Sequence, residues 1–221
     1  MTTAVVVMAK APRPGLAKTR LHPLLGPDGS AALQAALIAS ATATAASVLP
    51  TWVAIAPAGA AAEVVPLLPD GVGTFDQVEG DLGVRMAAAV ATVHARTGGP
   101  VLVIGTDAPT LRAEHLEAAA AVVGGGAAAL GPALDGGYWL IGLPEPLPAA
   151  FAIPPDLWSG PEVLTATRRA LEGAGRTVEL LAPLRDLDTP DDAAALLAEA
   201  AEGEVALPPE VAALLSLAAP G

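Results

Sequence analysis

The sequence predicts an α/β fold with a mainly parallel, mixed β-sheet between two layers of helices, a three-layer αβα arrangement. Three short and continuously apolar segments, Ala4–Met8, Trp52–Ala56 and Val101–Gly105, are typical of strands that are buried on both faces. Strands that alternate with helices form βαβ units, in which neighbouring strands run parallel. The length of 221 residues is enough for one domain with a sizeable core.

The other elements follow from apolar spacing and from helix-ending residues. A helix is predicted over Ala31–Val48, ended by Pro50. The segment Asp81–Arg96 carries apolar residues three and four positions apart, which is typical of a helix with one buried face. Further helices are predicted at Glu63–Leu68, Arg112–Val123, Pro161–Leu171, Pro190–Ala201 and Pro208–Leu217, and further strands at Ala127–Gly131, Tyr138–Leu143 and Thr177–Leu181.

The organisation along the chain predicts a single nucleotide-binding domain over residues 1–205, followed by a C-terminal helix or tail over residues 206–221. Mean hydropathy is +0.55. The uncharged stretch over residues 29–62 is nevertheless rich in Ala, Ser and Thr and contains two prolines, so we expect no membrane span. The first apolar run is short and no basic residue precedes it, unlike a signal peptide. We therefore expect a cytoplasmic protein.

The composition excludes several functional classes. The chain has no cysteine, which excludes disulfides, zinc–thiolate sites, iron–sulfur clusters and thiol nucleophiles. The net charge of −12 argues against general nucleic-acid binding, which requires basic surface. The charge is also uneven, because the only two lysines, Lys10 and Lys18, lie with Arg13 and Arg20 in one short segment.

This basic segment belongs to a loop predicted over Ala9–Gly26, directly after the first strand. Ligands of open α/β sheets bind beyond the carboxyl ends of the strands. Backbone N–H groups near Gly15, together with Lys18 and Arg20, are suited to neutralise a diphosphate or triphosphate. The loop matches neither the Walker pattern nor G-x-G-x-x-G. The alternative is a solvated loop that keeps an acidic protein soluble; the confinement of both lysines to it favours phosphate binding.

Carboxylates follow two later strands. Asp107 comes two residues after the strand Val101–Gly105, where a carboxylate suits Mg²⁺ or Mn²⁺ bridged to substrate phosphates, although an Asp in a turn is the alternative. Asp186 and Asp188 are spaced to point the same way in an extended segment, and either is a candidate second ligand, with Asp188 preferred. Thr189–Asp192 is predicted instead to begin a helix, with Thr as its N-cap.

An Asp-Gly-Gly turn, Asp135–Gly137, precedes the aromatic pair Tyr138 and Trp139. Glycines allow a ligand to approach the backbone closely. Aromatic faces beside a carboxylate suit a sugar or a base, whereas a hairpin with core aromatics is the alternative reading.

Together these motifs resemble a bacterial family, DUF2064, whose members are assigned as nucleotide-diphospho-sugar transferases of the GT-A fold, that is, as glycosyltransferases. The family is distantly similar to the molybdenum-cofactor and phospholactate guanylyltransferases. The resemblance extends over roughly residues 4–200 and keeps the order of the motifs. These are Ala-Lys-Ala-Pro-x-Pro-Gly-x-x-Lys-Thr-Arg-Leu from Ala9, Glu79–Met86, Gly105–Pro109, Gly131–Pro132 with Asp135–Tyr138, and Asp186–Pro190.

The resemblance implies a site for a nucleotide sugar or NTP, a Mg²⁺ or Mn²⁺ ion and a small-molecule acceptor. The implied nucleotide-binding residues are Ala9, Lys10, Gly15, Lys18 and Arg20 in the first loop and Gln77, Gly80, Asp81 and Arg85 in a second segment. The implied metal ligands are Asp107 and Asp188. The implied sugar or acceptor pocket consists of Asp135, Gly136, Gly137, Tyr138, Trp139 and Trp158.

The leading expectation is a metal-dependent transferase that moves a sugar from a nucleotide-sugar donor to a small acceptor. Lys18 would stabilise charge on the phosphates, and Asp135 would act as general base. One alternative is a nucleotidylyltransferase, guanylyltransferase-like, that condenses an NTP with a phosphorylated acceptor. A second alternative is a non-catalytic nucleotide- or sugar-binding module. The sequence near Tyr138 lacks basic residues for an anionic acceptor, which favours sugar transfer.

Overall fold

One mixed sheet forms the centre of the molecule. The computed structural model describes residues 2–218, in which seven strands lie in the order β3-β2-β1-β4-β6-β5-β7. Only β6 runs antiparallel to its neighbours. The strands are β1 (Ala4–Lys10), β2 (Thr51–Ala56), β3 (Gly73–Asp76), β4 (Val101–Ile104), β5 (Ala128–Pro132), β6 (Tyr138–Leu143) and β7 (Val178–Leu180).

Helices cover both faces of this sheet, which confirms the predicted three-layer α/β class. Helices α1, α2 and α4 pack on one face, and α3 and α5 pack on the other. The helices are α1 (His22–Val48), α2 (Ala61–Val64), α3 (Leu82–Thr97), α4 (Ala113–Gly124), α5 (Val163–Gly173), α6 (Pro190–Ala201) and α7 (Pro209–Ala218), with short 3₁₀ segments at Thr19–Leu21, Val65–Leu67, Pro148–Phe151 and Pro155–Ser159.

Strand β1 shows why the central strands are continuously apolar. Successive side chains of a strand point to opposite faces. Val5 and Val7 therefore pack in the layer of α1 and α4, while Val6 packs against α3, and all three are fully buried. A helix layer on each face leaves no solvated side on which a polar residue could be placed.

The structure differs from the prediction at two places. The loop predicted over Ala9–Gly26 becomes helical at Thr19, and α1 begins at His22 with a kink at Gly26, whose φ is +68°. The edge strand β3 was not predicted, because its four residues, Gly-Thr-Phe-Asp, lack the apolar or alternating pattern of longer strands.

The segment Thr19–Val48 meets the length and hydropathy criteria for a helix that could cross a membrane, and it is the one such helix within residues 2–218. A long core helix meets the same criteria. Leu33, Leu37 and Ile38 of this helix are at most 1% exposed and pack against the sheet and neighbouring helices.

The predicted C-terminal segment, residues 206–221, is described as far as residue 218. Its helix α7 packs against α1 and against α6, and all three helices contribute to the same cluster. The buried residues of this cluster are Leu21, Leu33, Leu37, Leu187, Ala193, Leu196, Val211 and Leu215.

The strand order positions the functional site. From β1 the chain adds β2 and β3 on one side of the sheet and then returns to place β4 on the other side. The crevice at such a reversal lies outside the carboxyl ends of β1 and β4, where open α/β sheets bind ligands.

Candidate active site

A cavity of about 500 Å³ opens at the carboxyl ends of β1 and β4, a volume suited to a small-molecule ligand. The loop after β1, the loop after β4, the β5–β6 hairpin and the segment before α6 all contribute to its wall. The residues singled out from the sequence that line it are Lys10, Lys18, Arg20, Asp107, Asp135, Gly137, Tyr138, Trp139, Trp158, Asp186 and Asp188.

Lys18 lies at the centre of the polar part of the cavity, and only 5% of its side chain is exposed. Its Nζ is 2.5 Å from Oδ1 of Asp107 and 2.8 Å from Oδ1 of Asp188. It also donates a hydrogen bond of 2.8 Å to the carbonyl oxygen of Leu187. Burial opposes the ammonium charge, but the two carboxylates outweigh it and raise the pKa of Lys18 above its ordinary value.

Local structure at the start of α6 holds Asp188 in place. The carboxylate of Asp192 accepts hydrogen bonds from the N–H groups of Asp188 and Thr189, while the Thr189 hydroxyl accepts from the N–H of Asp192. This is the predicted helix start. The N–H of Leu187 donates to the carbonyl oxygen of Asp107 at 2.7 Å, so the segment before α6 is tied to the loop after β4.

Asp186 shares the cavity with three other carboxylates. Burial raises the pKa of Asp186 to about 7; the charges of Asp107, Asp135 and Asp188 add to this shift, and Lys18 opposes it. Four carboxylates around one buried lysine make this part of the cavity attractive to cations. Within residues 2–218, no group of three or more Asp, Glu or His side chains is arranged to hold a metal ion.

Two polar residues of the cavity, Gln34 and Thr106, are absent from the predicted site. Both are buried, at 4% and 5% exposure. Gln34 Nε2 donates to the carbonyl oxygen of Lys10 and to Oγ1 of Thr106, which in turn donates to Oδ1 of Asp107. The sequence contained one signal that could have pointed to Gln34: it is the only amide side chain in the uncharged stretch over residues 29–62.

The basic loop divides between the cavity and the surface. Lys10 lines the cavity, and its ammonium donates to the carbonyl oxygen of Leu16 at 2.6 Å. Arg20 is exposed and also lines the cavity. Arg13, by contrast, donates two hydrogen bonds to the carboxylate of Glu63 in α2. It is therefore paired outside the cavity and does not add to the predicted basic cluster there. Gly15 adopts φ +79° in an exposed turn.

The second predicted nucleotide segment is bound to the sheet. The Gln77 amide donates to the carbonyl oxygens of Ala54 and Ala9, at the ends of β2 and β1, and its Oε1 accepts from Arg85. Asp81 caps α3 by accepting from the N–H of Val84, and Gly80 precedes it. These residues flank the start of α3 and do not line the cavity. Their contact with a nucleotide stays a prediction.

The Asp-Gly-Gly turn connects β5 and β6. Asp135 is exposed, and its Oδ1 accepts from the N–H of Gly137 at 2.9 Å. Gly136 has φ +93°, and a Cβ atom there would lie 2.2 Å from the carbonyl oxygen of Pro161. We expected a ligand to approach this backbone, but at Gly136 the close approach is made by the segment before α5. The N–H of Leu164 also donates to the Gly136 carbonyl oxygen.

The aromatic residues separate into core and cavity wall. Trp139 is 5% exposed, and its Nε1 donates to the carbonyl oxygen of Ala182. Its indole therefore packs mostly in the core, although Trp139 also lines the cavity. Its contact with a sugar stays a prediction. Tyr138 lines the cavity with its hydroxyl 4.0 Å from Sδ of Met86, and burial raises the pKa of Tyr138. Trp158 packs against Gly83 of α3 and completes this uncharged wall.

The fold is shared with proteins that use nucleotides. A Desulfovibrio desulfuricans G20 protein assigned to the nucleotide-diphospho-sugar transferases is 26% identical, with a TM-score of 0.83 over 98% of this chain and 95% of that one. The 4-diphosphocytidyl-2C-methyl-D-erythritol synthase of Anaerococcus prevotii DSM 20548 is 9% identical, with a TM-score of 0.59 over 91% and 96%. A CMP:2-keto-3-deoxy-manno-octonic acid synthetase in complex with CTP is 12% identical, with a TM-score of 0.56 over 92% and 100%.

The two synthetases share only the fold with this chain, whereas the Desulfovibrio protein is similar in sequence as well. None of the curated proteins matches the sequence at a significant level. The family model of DUF2064, described as an uncharacterized protein conserved in bacteria, matches residues 37–155, which is more than half of the sequence. This chain therefore belongs to the DUF2064 family.

Proposed function

We propose that this protein is a metal-dependent glycosyltransferase that moves the sugar of a nucleotide-sugar donor to a hydroxyl group of a small-molecule acceptor. One observation carries the proposal: Lys18 is paired with Asp107 and Asp188 in a cavity whose lining also includes the aromatic residues Tyr138 and Trp158. The shared fold and the likeness to the Desulfovibrio protein support a nucleotide-dependent transferase.

The two carboxylates fit a divalent cation. Asp107 and Asp188 already hold one positive group between them, and their side chains are 44% and 37% exposed. Carboxylate oxygens are hard donors, which Mg²⁺ and Mn²⁺ prefer, and Mg²⁺ usually binds one or two protein carboxylates together with substrate phosphates. A cation bound there would stabilise negative charge on the departing diphosphate.

The chain's own residues supply the other parts of the reaction. Transfer breaks the bond between the anomeric carbon and the diphosphate oxygen, and it forms a bond from the acceptor oxygen to the same carbon. Lys10, Lys18 and Arg20 place positive charge where the diphosphate would lie. Asp135 is exposed and uses one oxygen to accept the Gly137 N–H, so its second oxygen is suited to take the acceptor proton.

Sugar transfer is favoured over nucleotidyl transfer by the charge on the cavity wall. The basic side chains among its described residues, Lys10, Lys18 and Arg20, all come from the loop after β1. The lining also includes Tyr138 and Trp158, together with aliphatic residues such as Leu82 and Val163. A phosphorylated acceptor would lack a counter-charge there, whereas a sugar can stack on aromatic faces.

A thermal-shift panel tests the proposal. UDP-, GDP-, ADP- and dTDP-sugars and the four NTPs would each be added with and without Mn²⁺. A ligand at a hundredfold excess over its Kd stabilises the folded state by about 2.7 kcal/mol. We expect a Mn²⁺-dependent shift with at least one nucleotide sugar. A shift with NTPs alone would indicate nucleotidyl transfer instead, and no shift with any nucleotide would contradict both activities.

Asp107→Asn tests the metal site within that panel. The amide keeps the size of the side chain but removes the charge that attracts the cation. We expect the variant to lose the Mn²⁺ dependence of the nucleotide shift. Asp191→Asn is the matched control, because Asp191 is exposed on the first turn of α6. Persistence of the Mn²⁺ effect in Asp107→Asn would place the metal elsewhere.

A further inference from the structure

The two carboxylate oxygens of Asp107 have different surroundings. Oδ1 is 2.5 Å from the Lys18 ammonium and accepts a hydrogen bond of 3.2 Å from the hydroxyl of Thr106. Oδ2 accepts no hydrogen bond from any residue in the described range 2–218, and the side chain is 44% exposed in the cavity. One oxygen is therefore held by the protein, while the other is available to a ligand.

The hydrogen bond from Thr106 has a defined direction, because its hydroxyl carries a single proton. The Gln34 amide Nε2 can only donate, and it lies 3.3 Å from Oγ1 of Thr106. Thr106 accepts this bond and directs its own proton to Asp107. The second proton of the Gln34 amide goes to the carbonyl oxygen of Lys10, 3.2 Å away, at the end of β1.

This chain of bonds spans the crevice between the strands. Gln34 belongs to α1, Lys10 ends β1, and Thr106 follows β4, so three separate elements are connected beneath the cavity. Gln34 and Thr106 are at most 5% exposed, in surroundings where a lost hydrogen bond is not replaced by bulk water.

We propose that Gln34 and Thr106 are positioning residues that hold the carboxylate of Asp107 in one orientation and leave Oδ2 for the ligand. The inference rests on the proposed function for the identity of that ligand, a divalent cation with a nucleotide. Residues that orient a metal ligand typically change metal affinity 10- to 100-fold when they are altered.

Thr106→Val provides the sharpest test, because it preserves the shape of the side chain and removes the hydroxyl. The measurement is the affinity for Mn²⁺ alone, from the electron paramagnetic resonance signal of the free ion. We expect the affinity to fall about 10-fold or more. Thr106→Ser restores the hydroxyl and is expected to stay within about 3-fold of the wild type. Thr110→Val is the matched control, at a buried threonine of the same loop.

Gln34→Met provides a second, independent variant. The thioether has a similar length but no donor, so the Thr106 hydroxyl is free to rotate away from Asp107. We expect a fall in Mn²⁺ affinity in the same direction as in Thr106→Val. Equal affinities in the wild type, Thr106→Val and Gln34→Met would overturn the inference while leaving the metal site intact.

A metal-free readout separates this inference from the proposed function. Three-bond NMR couplings report whether the Asp107 side chain populates one χ1 rotamer. We expect a single rotamer in the wild type and in Thr106→Ser, and averaging in Thr106→Val. If the wild type binds no Mn²⁺, the proposed metal site is contradicted, and the positioning role of Thr106 is then tested by the couplings alone. Unchanged couplings in Thr106→Val would then overturn the positioning role.

Discussion

Asp186 is the residue whose ionisation should govern the pH dependence of stability. Its pKa is raised to about 7, chiefly by burial, against about 3.9 in an unfolded chain. The native state therefore holds a proton that the unfolded state releases. The stability that this provides is complete below about pH 4 and is lost as the pH rises through 7.

Asp186→Asn should remove that dependence. At about 1.4 kcal/mol per pK unit, the wild type should lose on the order of 4 kcal/mol relative to the variant between pH 4 and pH 8. The measurement is chemical unfolding across this pH range in EDTA, so that no bound cation neutralises the cavity. Asp70→Asn, at an exposed carboxylate, should follow the wild type. Parallel curves for the wild type and Asp186→Asn would contradict the prediction.

The ion pairs of Lys18 could not be predicted from single residues. Both lysines line the cavity, but the sequence alone could not show that Lys18 would be bound by Asp107 and Asp188. Those contacts depend on three chain segments that meet only in the folded sheet. Lys18 also has φ +47°, a left-handed backbone that costs an L-residue about 1–2 kcal/mol. Such strain persists where surrounding contacts over-determine it, often at functional sites.

At the level of elements, the success of prediction followed the strength of the local signal. Strand β6 and helix α6 have the predicted boundaries, because an apolar run and a Thr-Pro start with acidic residues are unambiguous. Edge strand β3 exists through its pairing with β2, a long-range contact that four residues do not encode. The early start of α1 was obscured by prolines and glycines that the structure accommodates with a kink at Gly26.

The β5–β6 hairpin depends on the absence of a side chain at Gly136. An alanine there would require a left-handed backbone and would place Cβ 2.2 Å from the Pro161 carbonyl oxygen, so the hairpin and the segment before α5 would have to separate. We expect Gly136→Ala to lower the free energy of unfolding by about 3–5 kcal/mol. Chemical denaturation with a two-state analysis gives this value.

Gly15→Ala is the matched control for the hairpin. Gly15 also has a positive φ, of +79°, but no atom lies within 4 Å of the position of an added Cβ. The backbone cost of about 1–2 kcal/mol should therefore be the whole effect. If the two alanine substitutions lower the free energy of unfolding by the same amount, the close contact with Pro161 adds nothing to the cost of Gly136→Ala.

For the whole molecule, the sequence predicted the edge of the sheet where the candidate site lies. It did not predict which of the residues near that edge would line the cavity and which would pack in the core or bind the backbone. Parallel topology brings the loops after β1 and β4 together, so Lys18 and Asp107 could be assigned to one site before the fold was known. The core position of Trp139 and the contacts of Gln77 depend on which side of each strand faces which layer. That information comes from packing across the entire sheet.

The C-terminal helix tests how far the core extends. Leu33 and Leu37 of α1 pack with Leu215 of α7, and the same helix α1 carries Gln34 to the cavity. We therefore expect α7 to stabilise the whole domain, although the sequence predicted a domain that ends at residue 205, followed by a C-terminal helix or tail. Leu215 is fully buried, and Leu215→Ala should lower the free energy of unfolding by about 2–5 kcal/mol in chemical denaturation.

Leu217→Ala is the control, because Leu217 is 85% exposed on the same helix, and it should change the free energy of unfolding by less than about 0.5 kcal/mol. Equal, small effects of the two substitutions would mean that α7 is only an appendage, and the folded unit would then end before it.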